Sequence, residues 1–271
     1  MGILNVTPDS FFDGGQYSDA KRAIDRALAM INAGAGIIDV GGESTRPGAQ
    51  AVTDSEEIRR VIPIVEALSA TTGVPVSVDT SKAGVIRAVL NAGASLINDV
   101  RALRDEGALE AVAESNAAVC LMHMQGEPRT MQTNPHYANV IAEVREFLMA
   151  RIRACEAVGI DRQRIVIDPG IGFGKRVEHN LELLASIADL MELRLPVLIG
   201  VSRKSMFGTL LGRAVDQRLA GGLAASTAAV LAGAAIIRTH DVAETVDAVR
   251  IAAALKTAGY RAEQMTPGEL E

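Results

Sequence analysis

Residues 74–79 read Val-Pro-Val-Ser-Val-Asp, a short apolar run that ends at the carboxylate of Asp79. The chain holds eight such runs, and the others lie at residues 2–6 with Asn5, 36–40 with Asp39, 95–97 before Asn98, 118–122 before His123, 165–167 before Asp168, 196–201 before Ser202, and 234–237 before Arg238. Segments with helical apolar spacing lie between most of them. Strands that alternate with helices form parallel units, and eight such units close into a barrel. The sequence predicts an α/β fold, a single (β/α)8 TIM barrel over residues 1–271, with a polar tail at about 263–271.

Helices and loops follow from the same periodicity. Helical segments are predicted at about 18–33, 55–70, 106–115, 137–158, 177–193, 219–232 and 242–258. We expect Ser18 to cap the first helix, Thr80 or Ser81 to cap the third, and Asp241 to cap the last. Long polar connections are predicted at 7–17, 41–53 and 123–136, and loops of that length inside a domain are usually functional or mobile.

The bulk composition excludes several classes of protein. Of 271 residues, 48% are apolar and 22% charged, and the net charge is −6. An acidic chain is not expected to bind nucleic acid or an anionic membrane, because phosphate neutralisation needs a basic face. No apolar stretch is long enough to span a bilayer. The two cysteines, Cys120 and Cys155, have no metal-site or disulfide spacing and are interpreted as buried small side chains. We expect a cytoplasmic enzyme.

Three polar residues end strands 3, 4 and 6, namely Asp79, Asn98 and Asp168. The carboxyl ends of barrel strands surround one cavity, so these side chains are predicted to meet around one ligand. A carboxylate accepts two parallel donors, such as a ring N–H beside an amino group, and an amide can recognise a mixed donor–acceptor edge. A flat nitrogen heterocycle would satisfy all three. The alternative is that each residue only caps a helix or satisfies a loop.

Basic residues fall in the loops after strands 2, 7 and 8: Arg46, Arg203, Lys204, Arg238 and His240. The mouth of strands 7 and 8 is the usual anion site of this architecture. The sequence therefore predicts a cationic cradle beside the heterocycle, although a solvated charge remains the alternative for each residue taken alone.

Weaker signals surround this pocket. Asn5 offers one neutral oxygen to a Mg2+ ion that keeps its waters and binds a substrate phosphate. The glycine-rich run at 168–175 lets backbone approach a ligand closely, and Phe173 is placed to pack against a ring. His123 is interpreted as a hydrogen-bonded structural residue, and Met122 as pocket wall or core. No Gly-x-Ser-x-Gly elbow occurs, so nucleophilic serine chemistry has no support.

Taken together, these motifs resemble those of the dihydropteroate synthase family. The matching stretches, in the family's order, are MGILNVTPDSFFDGG (1–15), IDVGGESTRPG (38–48), VDTSK (78–82), INDV (97–100), LMHMQG (121–126), DPGIGFGK (168–175), SRKS (202–205) and RTHDV (238–242). They cover nearly every loop at the carboxyl ends of the strands.

The resemblance implies condensation of 6-hydroxymethyl-7,8-dihydropterin diphosphate with 4-aminobenzoate, which releases diphosphate and forms 7,8-dihydropteroate in folate biosynthesis. The residues implied to bind the pterin are Asp79, Asn98, Asp168 and Lys204, and Met122 is expected as a further substrate-binding residue. Mg2+ on Asn5, with Arg238 and His240, would hold the diphosphate. The aminobenzoate side would comprise Phe11, Thr45, Arg46, Pro47, Phe173 and Ser202.

The resemblance further implies that Asp79, Asp168, Lys204 and Arg238 carry the catalysis, through a pterin cation formed as diphosphate leaves. It implies sulfonamides as competitive ligands and a homodimer. Phe12 departs from the family, which usually has a small polar residue there, and its effect on the aminobenzoate pocket has no predictable direction. Two alternatives stay open: a pterin-dependent methyltransferase domain and a non-catalytic pterin-binding module.

Overall fold

The computed structural model describes residues 1–6, 15–44, 51–128 and 130–260. The strands of these residues are β1 Gly2–Asn5, β2 Ile38–Gly41, β3 Val76–Asp79, β4 Leu96–Asp99, β5 Ala118–Met122, β6 Ile165–Asp168, β7 Leu198–Ile199 and β8 Ile236–Ile237. The helices are α1 Gly15–Asn32, α2 Asp54–Thr71, α3 Ala83–Asn91, α4 Ala108–Ala113, α5 Val140–Ala157, α6 Val177–Ala185, α7 Ile187–Met191, α8 Ser205–Leu211, α9 Leu219–Leu231 and α10 Val242–Thr257. None of the described helices has the combination of length and apolarity needed to cross a membrane.

The strands are parallel and follow chain order around a barrel. Strands β1 to β6 form one ladder, and β7 pairs with β8. Two single bridges join these sets, Ile167 to Val197 on one side and Gly2 to Thr239 on the other. The Ile3 N–H donates to the Thr239 carbonyl over 2.8 Å across the second junction. The predicted (β/α)8 barrel is therefore confirmed.

Side chains alternate between the two faces of each strand. Outward residues such as Val40, Val78 and Ile167 pack under the helices in the main core. Inward residues form a smaller apolar cluster at the amino-terminal end of the barrel, consisting of Leu96, Cys120, Val166 and Leu198, with Met1, Ala118 and Ile236 against it. The inward positions nearer the carboxyl ends are polar, and there the site lies. Both cysteines are buried and free, as predicted.

Several predicted helix ends were wrong. Helix α1 begins at Gly15, so Ser18 lies inside it and is not its cap. Helix α3 begins after Lys82 without a side-chain cap. The hydroxyl of Ser81 donates to the Asp99 carboxylate instead, in a charge-assisted hydrogen bond. Asp241 precedes α10 but does not cap it, because its carboxylate pairs with Arg203.

Other differences concern short elements. The helix predicted at 177–193 is two helices, α6 and α7, which meet at Ser186. Helix α8 was not predicted, since seven residues containing Gly208 show too few turns for a period to be recognised. Strands β7 and β8 have two residues each, fewer than predicted. The described residues between β5 and α5 form no helix or strand, in agreement with the predicted long loop.

Candidate active site

Arg238, which follows β8, reaches across the barrel to two carboxylates. Its Nε donates to Asp39 Oδ2 over 2.6 Å, and its Nη2 donates to Asp79 Oδ2 over 2.9 Å. Strand alternation directs these residues inward, and the Arg238 side chain stays 20% exposed while Asp39 is completely buried. Asn98 joins them, since its Nδ2 donates to Asp39 Oδ2 over 3.1 Å. We refer to Asp39, Asp79, Asn98 and Arg238 as the carboxylate cluster.

The backbone register explains why these residues meet. Asn5, Gly41, Asp79 and Asn98 are aligned across β1 to β4 as successive parallel pairs. Strand alternation then directs Asp79 and Asn98 to the same face, so both line the mouth of the barrel. The predicted meeting of Asp79 and Asn98 follows from this register alone.

The surroundings of Asp79 raise the pKa of its carboxyl to near neutral pH. Burial is the largest cause and raises the pKa of its carboxyl, the Arg238 guanidinium lowers it, and the negative charge of Asp39 raises it, which together give a pKa of about 7. A carboxyl group with this pKa exchanges its proton readily near neutral pH. Such perturbed groups are characteristic of functional sites.

Asp168 and Lys204 form the neighbouring part of the pocket. Asp168 Oδ1 accepts from the Gly170 N–H over 2.7 Å. Burial raises the pKa of Asp168, partly offset by that N–H and by the nearby charge of Lys204. The Lys204 Nζ lies 4.1 Å from the centre of the Phe173 ring. Phe173 in turn packs against a cluster of Val100, Met122, Met124 and Met131. Met122 is thus a wall of this pocket as well as part of a buried cluster.

His240 and Ser202 lie together at the β7–β8 mouth. The Ser202 Oγ accepts from the His240 N–H over 3.2 Å and lies 3.1 Å from its Nδ1. Ser202 was predicted on the aminobenzoate side, and the structure places its hydroxyl on His240. Arg203 forms an ion pair with Asp241 and is 42% exposed, so this cation is directed away from the cluster.

Asn5 is directed toward the same rim. Its Oδ1 lies 3.7 Å from the point that a Cβ on Gly41 would occupy, and the Asp79 Cβ lies equally near that point. Among the described residues, no group of three or more His, Cys, Asp or Glu side chains is arranged to hold a metal ion. The predicted binding of Mg2+ by Asn5 stays a prediction.

The glycine-rich run at 168–175 packs closely against the loop after β5. A Cβ on Gly170, whose φ is +70°, would lie 1.9 Å from the His123 carbonyl oxygen, and one on Gly174 would lie 2.4 Å from that of Gln125. The close approach in the structure is thus to the loop after β5. A Cβ on Gly172 would instead lie 3.0 Å from Cδ of Lys204.

Lys175 and Lys82 were not predicted as site residues. The buried Nζ of Lys175 lies 2.9 Å from His123 Nδ1 and donates to the Phe173 carbonyl over 3.0 Å. Burial lowers the pKa of Lys175 to about 7 and that of His123 to about 2. His123 is hydrogen-bonded, and its interpretation as a structural residue stays a prediction. The Nζ of Lys82 donates to Glu43 and Glu57, each over 2.7 Å. Each lysine is the last residue of a quoted motif, VDTSK (78–82) or DPGIGFGK (168–175), and that position was the available signal.

The residues predicted on the aminobenzoate side lie mostly outside the described part of the chain. Phe11, Phe12, Thr45, Arg46 and Pro47 lie outside the described residues. Their predicted roles stay predictions. Phe173 and Ser202 are the described members of that set, and they flank Lys204 and His240 respectively.

Comparison with known proteins identifies the fold's relatives. The family model for pterin binding enzymes matches residues 1–240. A dihydropteroate synthase from Escherichia coli K12 is 54% identical over 258 residues, which are 95% of this chain and 92% of the relative. The chain belongs to the dihydropteroate synthase family of pterin-binding enzymes.

Solved structures of the family agree with this membership. The dihydropteroate synthase of Yersinia pestis, in a sulfonamide drug complex, superposes with a TM-score of 0.90 at 50% identity, covering 94% of this chain and 93% of that one. The enzyme of Xanthomonas albilineans with 4-aminobenzoic acid gives a TM-score of 0.89 at 52% identity, covering 94% and 92%. Both matches span the whole barrel, and the resemblance inferred from the loop motifs is confirmed.

Proposed function

We propose that the chain is a dihydropteroate synthase, a transferase that joins 6-hydroxymethyl-7,8-dihydropterin diphosphate to 4-aminobenzoate and releases diphosphate. The observation that carries the proposal is the convergence of Asp79, Asn98 and Arg238 at the barrel mouth, in a chain 54% identical to the Escherichia coli enzyme over nearly its full length. Pterin and aminobenzoate are the substrates that this family membership brings to the pocket.

The pterin ring carries an amino group beside ring N–H groups, and these donors match the acceptors of the pocket. Asp168 has one carboxylate oxygen on Gly170 and a second for the ligand. In the same way, Asp79 Oδ2 accepts from Arg238, and Asp79 Oδ1 is left for a ligand donor. Met122 and Phe173 supply apolar contact for the ring, and Lys204 brings a cation to the same wall. These residues bind and orient the ring.

Departure of diphosphate develops negative charge at the barrel mouth. The guanidinium of Arg238 and the imidazole of His240 lie there, just after β8. We propose that Mg2+ binds the diphosphate and Asn5, where it would neutralise part of that charge. Asp79 and Asp168 would stabilise the pterin cation left behind, which makes the mechanism dissociative.

The arylamine nitrogen of 4-aminobenzoate then forms the new bond to the exocyclic carbon of the pterin and loses a proton. This weak nucleophile suffices because the acceptor is already cationic, so no protein nucleophile is required. We propose that Phe11, Thr45, Arg46, Pro47, Phe173 and Ser202 bind it. Because the Xanthomonas relative was solved with 4-aminobenzoic acid and the Yersinia relative with a sulfonamide, we propose that sulfonamides compete for this part of the pocket.

Formation of 7,8-dihydropteroate distinguishes this function from the alternatives. Purified protein should form dihydropteroate and diphosphate in equal amounts when both substrates and Mg2+ are present. A methyltransferase domain or a non-catalytic pterin-binding module would bind the pterin but form no dihydropteroate. The absence of product at saturating substrates would overturn the proposal.

We also propose a homodimer and a cytoplasmic location. Helices α9 and α10 lie side by side and expose Leu219, Ile251 and Leu255, with Ile251 63% exposed. An exposed apolar face of this kind suits a second copy of the chain. Sedimentation equilibrium should give twice the mass of one chain.

The free thiols of Cys120 and Cys155 are compatible with a reducing compartment.

A further inference from the structure

Asp39 lies beneath the pocket and has no exposed surface. Its carboxylate accepts three side-chain donors from three other strands or strand ends. Ser77 Oγ donates to Oδ1 over 2.5 Å, while Arg238 Nε and Asn98 Nδ2 both donate to Oδ2, over 2.6 and 3.1 Å. A side chain that is completely buried reaches a ligand only through its neighbours. One of those neighbours, Asn98, is a predicted pterin-binding residue, and another, Arg238, donates to the pterin-binding carboxylate of Asp79.

We propose that Asp39 is a positioning residue for pterin recognition. It holds the Asn98 amide in one orientation, and it holds the Arg238 guanidinium so that Asp79 Oδ1 stays available to the ligand. The proposal rests on the proposed function. It assigns to Asp39 a role that its position within an apolar strand does not suggest.

The first consequence concerns Asn98. An amide can turn by half a rotation, which exchanges its oxygen and its nitrogen. An N–H held by Asp39 excludes the turned form, because the Asn98 oxygen would then face a carboxylate. The orientation that remains presents Oδ1 and the second N–H for a mixed donor–acceptor edge. Asp39 thereby sets which edge of a heterocycle Asn98 recognises.

The second consequence concerns Asp79. Arg238 divides its donors between two carboxylates, with Nε on Asp39 and Nη2 on Asp79 Oδ2. A guanidinium with Asp79 as its only partner would favour the bidentate geometry, in which both carboxylate oxygens are occupied. Asp39 therefore keeps Asp79 Oδ1 available to a ligand donor. Both consequences predict weaker pterin binding when the Asp39 charge is removed.

The test compares Asp39→Asn with a matched control, Ser77→Ala. Ser77 is equally buried and bonds to the same carboxylate, but through the oxygen that neither Asn98 nor Arg238 contacts. Binding of free 6-hydroxymethyl-7,8-dihydropterin is measured by calorimetry, and thermal unfolding of each ligand-free variant is measured in parallel. We expect Asp39→Asn to weaken pterin binding about 10- to 100-fold, and Ser77→Ala to change it less than about threefold.

Steady-state kinetics separate positioning from a general loss of structure. Asp39→Asn should raise KM for the pterin diphosphate and leave KM for 4-aminobenzoate unchanged. In an Asn98→Ala background the effect of Asp39→Asn on pterin binding should be smaller, because one of the two routes is already removed. Strict additivity, or an equal rise of both KM values, would overturn the proposal.

A third comparison applies if Asp39→Asn does not fold. That outcome is possible because the variant removes one of the two carboxylates that pair with the Arg238 guanidinium. Arg238→Met is then compared with Asp39→Asn/Arg238→Met, in which no guanidinium is left unpaired. The double variant should bind free pterin more weakly than Arg238→Met, through Asn98 alone, and equal affinity would overturn the proposal. Failure of the proposed function is recognised separately, because the wild-type protein would then form no dihydropteroate.

Discussion

Asp79 ends β3 and Arg238 follows β8, 159 positions apart in the chain, and the two side chains are joined by a 2.9 Å hydrogen bond from Nη2 to Oδ2. The bond occupies one carboxylate oxygen and leaves the other toward the pocket. The cation that balances this buried carboxylate also lies where the diphosphate charge would develop. In the proposed mechanism, this pair of residues links pterin recognition to the site of bond breaking.

Replacement of Asp168 by asparagine should weaken pterin binding by about 1.5–3 kcal/mol, the value of a hydrogen bond to a charged group. The buried carboxylate has one oxygen on the Gly170 N–H and the other for the ligand. Asparagine keeps the shape but substitutes a donor for one acceptor. Calorimetry with free 6-hydroxymethyl-7,8-dihydropterin measures the change, and an affinity equal to that of the wild type would remove Asp168 from the site.

Pterin affinity should depend on pH with a maximum between about pH 7 and pH 8. Asp79 must be ionised to accept a donor, and its pKa is raised to about 7, so binding below that value requires loss of a proton. Burial lowers the pKa of Lys204 to about 8, although the Asp168 carboxylate raises it, so the ammonium charge is lost above that value. Each limb should approach a tenfold loss per pH unit.

Calorimetry across pH 5.5–9.5 tests this profile. The variant Lys204→Arg keeps its charge throughout the range and should lose the alkaline limb while it keeps the acid limb. An affinity that stays constant from pH 5.5 to pH 7 would show that the ligand does not need an ionised carboxylate.

Replacement of Lys82 by methionine should destabilise the protein by about 3–5 kcal/mol, the cost of leaving a buried charge without its partner. The Lys82 ammonium donates to Glu57, whose side chain is 1% exposed. The double variant Glu57→Gln/Lys82→Met removes that charge and should recover at least half of the loss. Urea denaturation gives both values.

An exposed ion pair serves as the control for Lys82. Arg59 is 50% exposed where it pairs with Glu56. Arg59→Ala should therefore change the free energy of unfolding by less than about 1 kcal/mol. If Lys82→Met were as mild as Arg59→Ala, the hydrogen bonds from Lys82 to Glu43 and Glu57 would not stabilise the ends of β2 and β3.

The stability contributed by Lys175 should rise with pH. Its pKa is lowered to about 7 in the folded protein, whereas the unfolded chain keeps the ordinary lysine value of about 10.4. Between these values the unfolded state binds more protons, so the free energy of unfolding increases with pH, by at most about 1.4 kcal/mol per unit. The variant Lys175→Met should lack this increase.

Urea denaturation at pH 7, 8 and 9 compares wild type, Lys175→Met and the exposed-site control Lys256→Met. The wild type and the Lys256→Met control should share one slope against pH, and Lys175→Met should be flatter. Parallel lines for all three proteins would mean that Lys175 stays charged in the folded state.

The sequence predicted the parts of the fold and site that depend on repetition and register. Asp79, Asn98 and Asp168 end strands, and parallel strands in a barrel bring such ends to one rim, so their convergence could be inferred without coordinates. Asp39 escaped prediction as a site residue because its role depends on donors from three other strands. The break at Ser186 and the helix α8 escaped because the local pattern spans too few turns.

The loop assignments show a second limit. A glycine-rich run predicts close approach, but only the fold shows that Gly170 and Gly174 approach the loop after β5. The partner of Asp241 also needed the fold, because its carboxylate could accept either from the N-terminus of α10 or from a guanidinium. Arg203 is the stronger partner because it is charged.

Rapid-quench kinetics with both substrates and Mg2+ test the central claim most directly. Enzyme in excess over the pterin diphosphate should convert it in a single turnover, with dihydropteroate and diphosphate formed in equal amounts, and Asp79→Asn should slow the step at least about 100-fold. An unchanged single-turnover rate in Asp79→Asn, with the pterin fully bound, would contradict the claim that the strand-end carboxylates stabilise the reacting pterin.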